Sequence, residues 1–234
     1  MVSEKINLLG DFHTCISDST LVTLLNKLQI VYQKEELISP KKHLVFSYFK
    51  SVKIKNIKVV ILGDFPYLDR ELATINPFAN DRDIIEISPE LELIKDSIIS
   101  NFPNYSSISE LPFGDPYNYY PFDVTLKSWI NQGVFLMNTV NTIEKTRDFF
   151  HLFMWKNFTK ELIQNLSKNN NFIWVFLGKE CLSLEKYIYS GDILKYTSLS
   201  ELVKNKQKLS SNMFTEINKI LIKNNLNKIN WNEY

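Results

Sequence analysis

The sequence predicts an α/β fold of three layers, α/β/α, around a central, mostly parallel four-stranded sheet. Three observations predict it. The runs VVILG, GVFLMN and FIWVFLG are apolar without alternation, as strands buried on both faces are. Segments with helix-like apolar spacing separate them, which is the pattern of a sheet covered on both sides. The chain has 234 residues, 44% of them hydrophobic and 13% aromatic, enough for one sizeable core, so residues 1–234 are expected to form a single domain.

The elements follow in order. Leu21, Leu24, Leu25 and Leu28 give residues 17–32 a helical apolar face, and Val45, Phe46 and Phe49 do the same for 43–50. A β-branched run at 57–62, closed by Gly63, is the first buried strand. Ser88 as N-cap and Pro89 in the first turn open a helix carrying Leu91, Leu93, Ile94 and Ile98. Residues 101–128 are rich in Pro, Gly, Asn and Ser and read as a loop. A strand at 133–138, a helix at 158–170 and a strand at 172–178 follow, then a helix at 179–188, a fourth strand at 192–196 and a helix at 210–225.

Composition excludes several classes of function. A net charge of +1 gives no general attraction to polyanions, so nucleic-acid binding must come from a local patch. Cys15 and Cys181 lie far apart and the three histidines, His13, His43 and His151, are scattered, so neither a metal site nor a cofactor is expected. The thiols are expected to be free in a reducing compartment. No run of 18 apolar residues exists and the first residues lack a signal-peptide core, which predicts an intracellular protein without membrane contact.

In folds of this class, functional groups sit at the carboxyl ends of the strands. Those ends are Gly63-Asp64-Phe65-Pro66-Tyr67, Asn138-Thr139, Gly178-Lys179 and Tyr196-Thr197-Ser198. In order and spacing, KNIKVVILGDFPY, WINQGVFLMN, FTKELIQNLSKNNNFIWVFLG and FTEINKILIKNNLNKINW resemble the successive blocks of family 1 uracil-DNA glycosylases, over a stretch from about residue 40 to the C-terminus.

The resemblance implies a set of roles. Tyr67 would exclude the 5-methyl group of thymine, Phe78, eleven residues further on, would stack on an extruded uracil, and Asn138 would hydrogen-bond its edge. With Asp64 these are the expected uracil-binding residues. Ser88 and Pro89 are in place of the family's proline-rich strand-pinching loop, and Gly178 and Lys179 in place of its phosphate-contacting Gly-Ser. Ser198, Leu199 and Ser200 fall in its last loop, with Ser200 where the family wedges a leucine into the duplex and Leu199 and Leu202 as substitutes. Lys195, Lys204, Lys206 and Lys208 add a modest basic patch, so these segments form the expected DNA interface.

The chemistry departs from the family. Its water-activating loop reads Gly-Gln-Asp-Pro-Tyr-His, against Gly63-Asp64-Phe65-Pro66-Tyr67-Leu68 here, so the general base is replaced by a benzyl group that can neither accept a proton nor stabilise a cationic sugar. The family's last-loop histidine, which stabilises the departing base, is replaced by Tyr196. Asp64 and Tyr196 are the remaining catalytic candidates. The sequence therefore predicts a protein that acts by binding rather than hydrolysis. Its expected partners are DNA, single-stranded or uracil-containing, and a protein component of viral or plasmid replication or transcription. Two alternatives are an active glycosylase with a rearranged Asp64, and a scaffold that binds only a protein such as a glycosylase inhibitor.

Overall fold

The computed structural model describes residues 2–83, 86–101, 122–144 and 148–232. Strands β2 (Val59–Gly63), β3 (Val134–Asn138), β5 (Ile173–Leu177) and β6 (Asp192–Tyr196) form a sheet in the order β3-β2-β5-β6, and every neighbouring pair is parallel. Every residue of β2, β3 and β5 is buried. Successive side chains of a strand point to opposite faces, so helices must cover both. Only β6, at the edge, is half-exposed.

The helices are α1 (Val2–Leu9), α2 (Asp18–Val31), α3 (Pro89–Asn101), α4 (Lys127–Asn131), α5 (Asp148–Lys168), α6 (Lys179–Leu182), α7 (Leu199–Lys204) and α8 (Met213–Lys223). A two-stranded antiparallel ribbon, β1 (Ile38–Ser39) with β4 (Ile143–Glu144), lies apart from the sheet. Ser17 caps α2: its hydroxyl oxygen accepts from the Thr20 backbone N–H, and the hydroxyl contacts Glu161 of α5. Ser88 caps α3 in the same way, accepting from the Leu91 N–H.

Several boundaries differ from the sequence reading. In place of the helix expected at 43–50 there are two short 3₁₀ turns, Lys42–Leu44 and Ser47–Lys50, with Phe46, Tyr48 and Phe49 all drawn into the core. The helix expected at 158–170 begins ten residues earlier, and the one at 179–188 stops at Leu182 and resumes as a 3₁₀ turn. Most of the expected loop at 101–128, residues 102–121, lies outside the described residues; its end carries α4. The buried apolar side chains join in one cluster, with Trp129, Trp155, Trp174 and Trp231 among its largest members.

Candidate functional site

The parallel register sets the site. Gly63 at the end of β2 pairs with Asn138 on one side and Leu177 on the other, so three strand ends finish at one level. The pairing continues past the strands, with the Thr139 N–H donating to the Gly63 carbonyl at 2.7 Å and the Val140 N–H to that of Asp64 at 3.0 Å. A cavity of about 330 Å³ opens there, lined among others by Phe65, Tyr67, Phe78, Glu90, Asn138 and Ser200.

Gly63 is needed for this geometry. A Cβ there would fall 2.6 Å from the Phe78 ring and 2.8 Å from Asn138 Oδ1, so the ring and the carboxamide meet over bare backbone. Phe78 itself has φ of +67°, a conformation that costs a non-glycine residue about 1–3 kcal/mol and that the Tyr67 strap maintains. The Tyr67 hydroxyl donates to the Phe78 carbonyl at 2.7 Å and accepts from Ser88 Oγ at 2.8 Å, while Ser39 Oγ donates to the Tyr67 carbonyl. Burial pushes the Tyr67 phenol well above its ordinary range, so it remains a neutral hydroxyl. Asn138 is 3% exposed, and its Oδ1 has no hydrogen-bond partner among the described residues. Thus Tyr67, Phe78 and Asn138 converge on one cavity, as do Phe65 and Asp64.

Asp64 is placed differently from what a relocated catalytic base requires. Its Oδ1 accepts from the backbone N–H groups of Glu180 at 2.9 Å and Cys181 at 3.1 Å, in the first turn of α6. A Cβ on Gly178, whose φ is +131°, would lie 2.1 Å from the same carboxylate, so only glycine admits it. Burial raises the Asp64 carboxyl above its usual range, and the two N–H groups partly offset this. Asp64 ties β2 to α6.

Other expectations are corrected by the structure. Tyr196 does not join the cavity that holds Phe78 and Asn138: its hydroxyl donates to Glu216 of α8 at 2.5 Å, and it lines a neighbouring groove instead. Ser88 is 1% exposed and commits its hydroxyl to Tyr67, so it offers nothing to a phosphate. Leu199 and Leu202 are 4% and 6% exposed and belong to the core, so neither is free to wedge into a duplex. Ser198 is buried and caps α7 by accepting from the Glu201 N–H. Gly178 is buried, while Pro89, Lys179, Ser200, Lys204 and Lys206 are exposed. Lys179, Lys195 and Lys208 line the neighbouring groove.

Among the lining residues that sequence reasoning missed are Tyr48, Asn141 and Glu90. Tyr48 and Asn141 face each other at the cavity wall, with burial pushing the Tyr48 phenol far up. Glu90 enters from the first turn of α3. Only Asn141 left a signal, a second amide three positions after Asn138, just past the end of the same strand.

Fold and site together define an α/β protein with an aromatic and amide-lined cleft at the carboxyl ends of a parallel sheet. The chain belongs to the uracil-DNA glycosylase superfamily, whose model matches residues 49–222. It is 34% identical over 203 residues to the uracil-DNA glycosylase of Mycoplasmopsis pulmonis, covering 85% of each chain. It is 30% identical over 213 residues to that of Francisella tularensis subsp. tularensis, covering 89% of this chain and 90% of the other. Among solved structures, the mimivirus uracil-DNA glycosylase shares the fold with a TM-score of 0.62 at 19% identity, over 96% of this chain and 90% of the other. A mimivirus UNG variant in complex with UGI gives 0.65 at 19% identity, over 96% and 92%.

Proposed function

We propose that the cavity binds uracil presented by DNA, stacking it on Phe78 and reading its edge with Asn138, and that hydrolysis cannot run through residue 65. One observation carries the reading: a 3%-exposed amide oxygen without a partner, beside an aromatic face held by a strained backbone. An orphaned buried acceptor costs about 1–3 kcal/mol unless a ligand or water satisfies it, and the uracil N3–H is a matching donor. The Tyr67 ring, fixed at both its hydroxyl and its carbonyl, is the steric filter against a 5-methyl group. Exposed Lys179 and Lys208 along the adjoining groove support contact with phosphates.

A second reading, uracil release, is favoured by the names of the relatives at 34% and 30% identity. Release would need a carboxylate other than the one the family places at position 65. The test is titration of labelled single strands, one carrying uracil and its counterpart thymine, at two salt concentrations, with free uracil measured in parallel. The expected result is a several-fold preference for uracil that persists at high salt and shrinks in Asn138→Ala. Salt-sensitive binding without preference reduces the protein to a DNA-binding scaffold. No binding to either strand removes the proposal and leaves display to a protein partner.

A further inference from the structure

Two carboxyl groups line the cavity among the described residues, Asp64 and Glu90. Asp64 is engaged by two backbone N–H groups of α6. Glu90 is not engaged in this way. It is half-buried in the first turn of α3, and no lysine or arginine pairs with it among the described residues. Glu92, two positions on, contrasts with it by pairing with Lys95. A partly desolvated carboxylate without a cation is costly in a fold that gains nothing from it.

Its position relative to the base-reading residues is fixed. Ser88, two residues earlier, caps α3 and donates to the Tyr67 hydroxyl, which in turn donates to the Phe78 carbonyl. Glu90 is close enough to Tyr67 for its negative charge to add to the effect of burial on that phenol. The carboxylate thus shares a wall with Tyr67 and Phe78, on the same cavity as Phe65.

We propose that Glu90 supplies the carboxylate for N-glycosidic hydrolysis of a uracil nucleotide in this cavity. The inference rests on the uracil-binding reading. The C1′–N1 bond breaks with its electron pair leaving on the base. A water oxygen bonds to C1′ while the Glu90 carboxylate stabilises the cationic sugar and takes the water's proton, which then passes to the uracil anion. The products are free uracil and an abasic site. A carboxyl group raised by burial, as Glu90 is, is better matched to accepting a proton near neutral pH than one in bulk water.

The test is single-turnover release of uracil from a single-stranded oligonucleotide with one uracil, protein in excess. Wild type, Glu90→Gln, Phe65→Asp and, as a control on the same helix, Glu92→Gln are compared, each with its uracil and thymine affinities. Measurable release by wild type is expected, slowed about 100-fold or more in Glu90→Gln, as loss of a general base is. Uracil preference should survive in Glu90→Gln, and Glu92→Gln should match wild type. Release by Glu90→Gln at the wild-type rate overturns the inference. So does a wild type that prefers uracil but releases none, and that outcome leaves the binding reading intact. Absence of both preference and release, in wild type and in Phe65→Asp alike, overturns both.

Discussion

Phe65 shows how much one side chain decides. It lines the cavity between Pro66 and the carboxylate that anchors α6, so under the proposed function a carboxylate substituted here would lie on the same cavity. Phe65→Asp is therefore expected to speed uracil release at least tenfold over wild type, measured under single turnover; an unchanged rate in a folded variant would mean that the loop no longer aims residue 65 at the sugar. Asp64 and Asp123 are predicted to act oppositely on stability. The Asp64 carboxyl is raised by burial, so its contribution is complete below about pH 4, the unfolded value, and is lost as pH rises through the higher folded value. Asp123, 5% exposed, is held low because hydrogen bonds from Thr125 and Ser128 outweigh its burial. Its contribution is present above about pH 4 and is lost as pH falls through the lower folded value. Chemical denaturation across pH 3–8 should show Asp64→Asn flattening the decline on the alkaline side and Asp123→Asn flattening the one on the acid side. That Tyr67 and Asn138 would meet at one cavity was legible in the sequence, because both follow or end strands that pair in register. Glu90 was not, since a glutamate in the first turn of a helix ordinarily only favours the helix dipole.

Among the elements, α6 is shorter than expected and closely constrained. It has four residues, and it exists because Gly178 lets the Asp64 carboxylate reach the N–H groups of its first turn. Gly178→Ala combines a φ of +131° with a Cβ 2.1 Å from that carboxylate, and is expected to cost at least about 1–3 kcal/mol in equilibrium unfolding. A cost near zero would show that Asp64 can swing away freely, and would reopen its candidacy as a catalytic group. Strands β2, β3 and β5 were legible as apolar runs because both their faces are buried. The 43–50 region was not: its aromatic residues fit a helical period, yet they pack against Phe12, Phe135 and Phe158 from two short 3₁₀ turns. Tyr196 was misjudged for a related reason. It is at the expected strand end, but α8 offers Glu216 to its hydroxyl, and no local pattern announces a partner twenty residues away.

For the whole molecule, a net charge of +1 means that the proposed attraction to DNA must come from a local patch such as the exposed lysines beside the cleft. Single-strand affinity should fall with salt at a logarithmic slope of about 0.7 per phosphate neutralised, so Lys179→Ala with Lys208→Ala should flatten the slope by about one or more while leaving the uracil-to-thymine ratio unchanged. A ratio that collapsed with the slope would tie base reading to the same lysines. The parallel sheet has one more consequence. Because the Thr139 and Val140 amides extend the β2–β3 ladder past the last strand residue, the floor of the cleft is mechanically a part of the most deeply buried layer of the protein. Those two amides should exchange their hydrogens for deuterium on the slow timescale of β3 itself, whereas a floor built from an ordinary loop would exchange within seconds. The Asn138 amide would then keep its position while surrounding segments open and close, and would lose it only when the sheet itself unfolds.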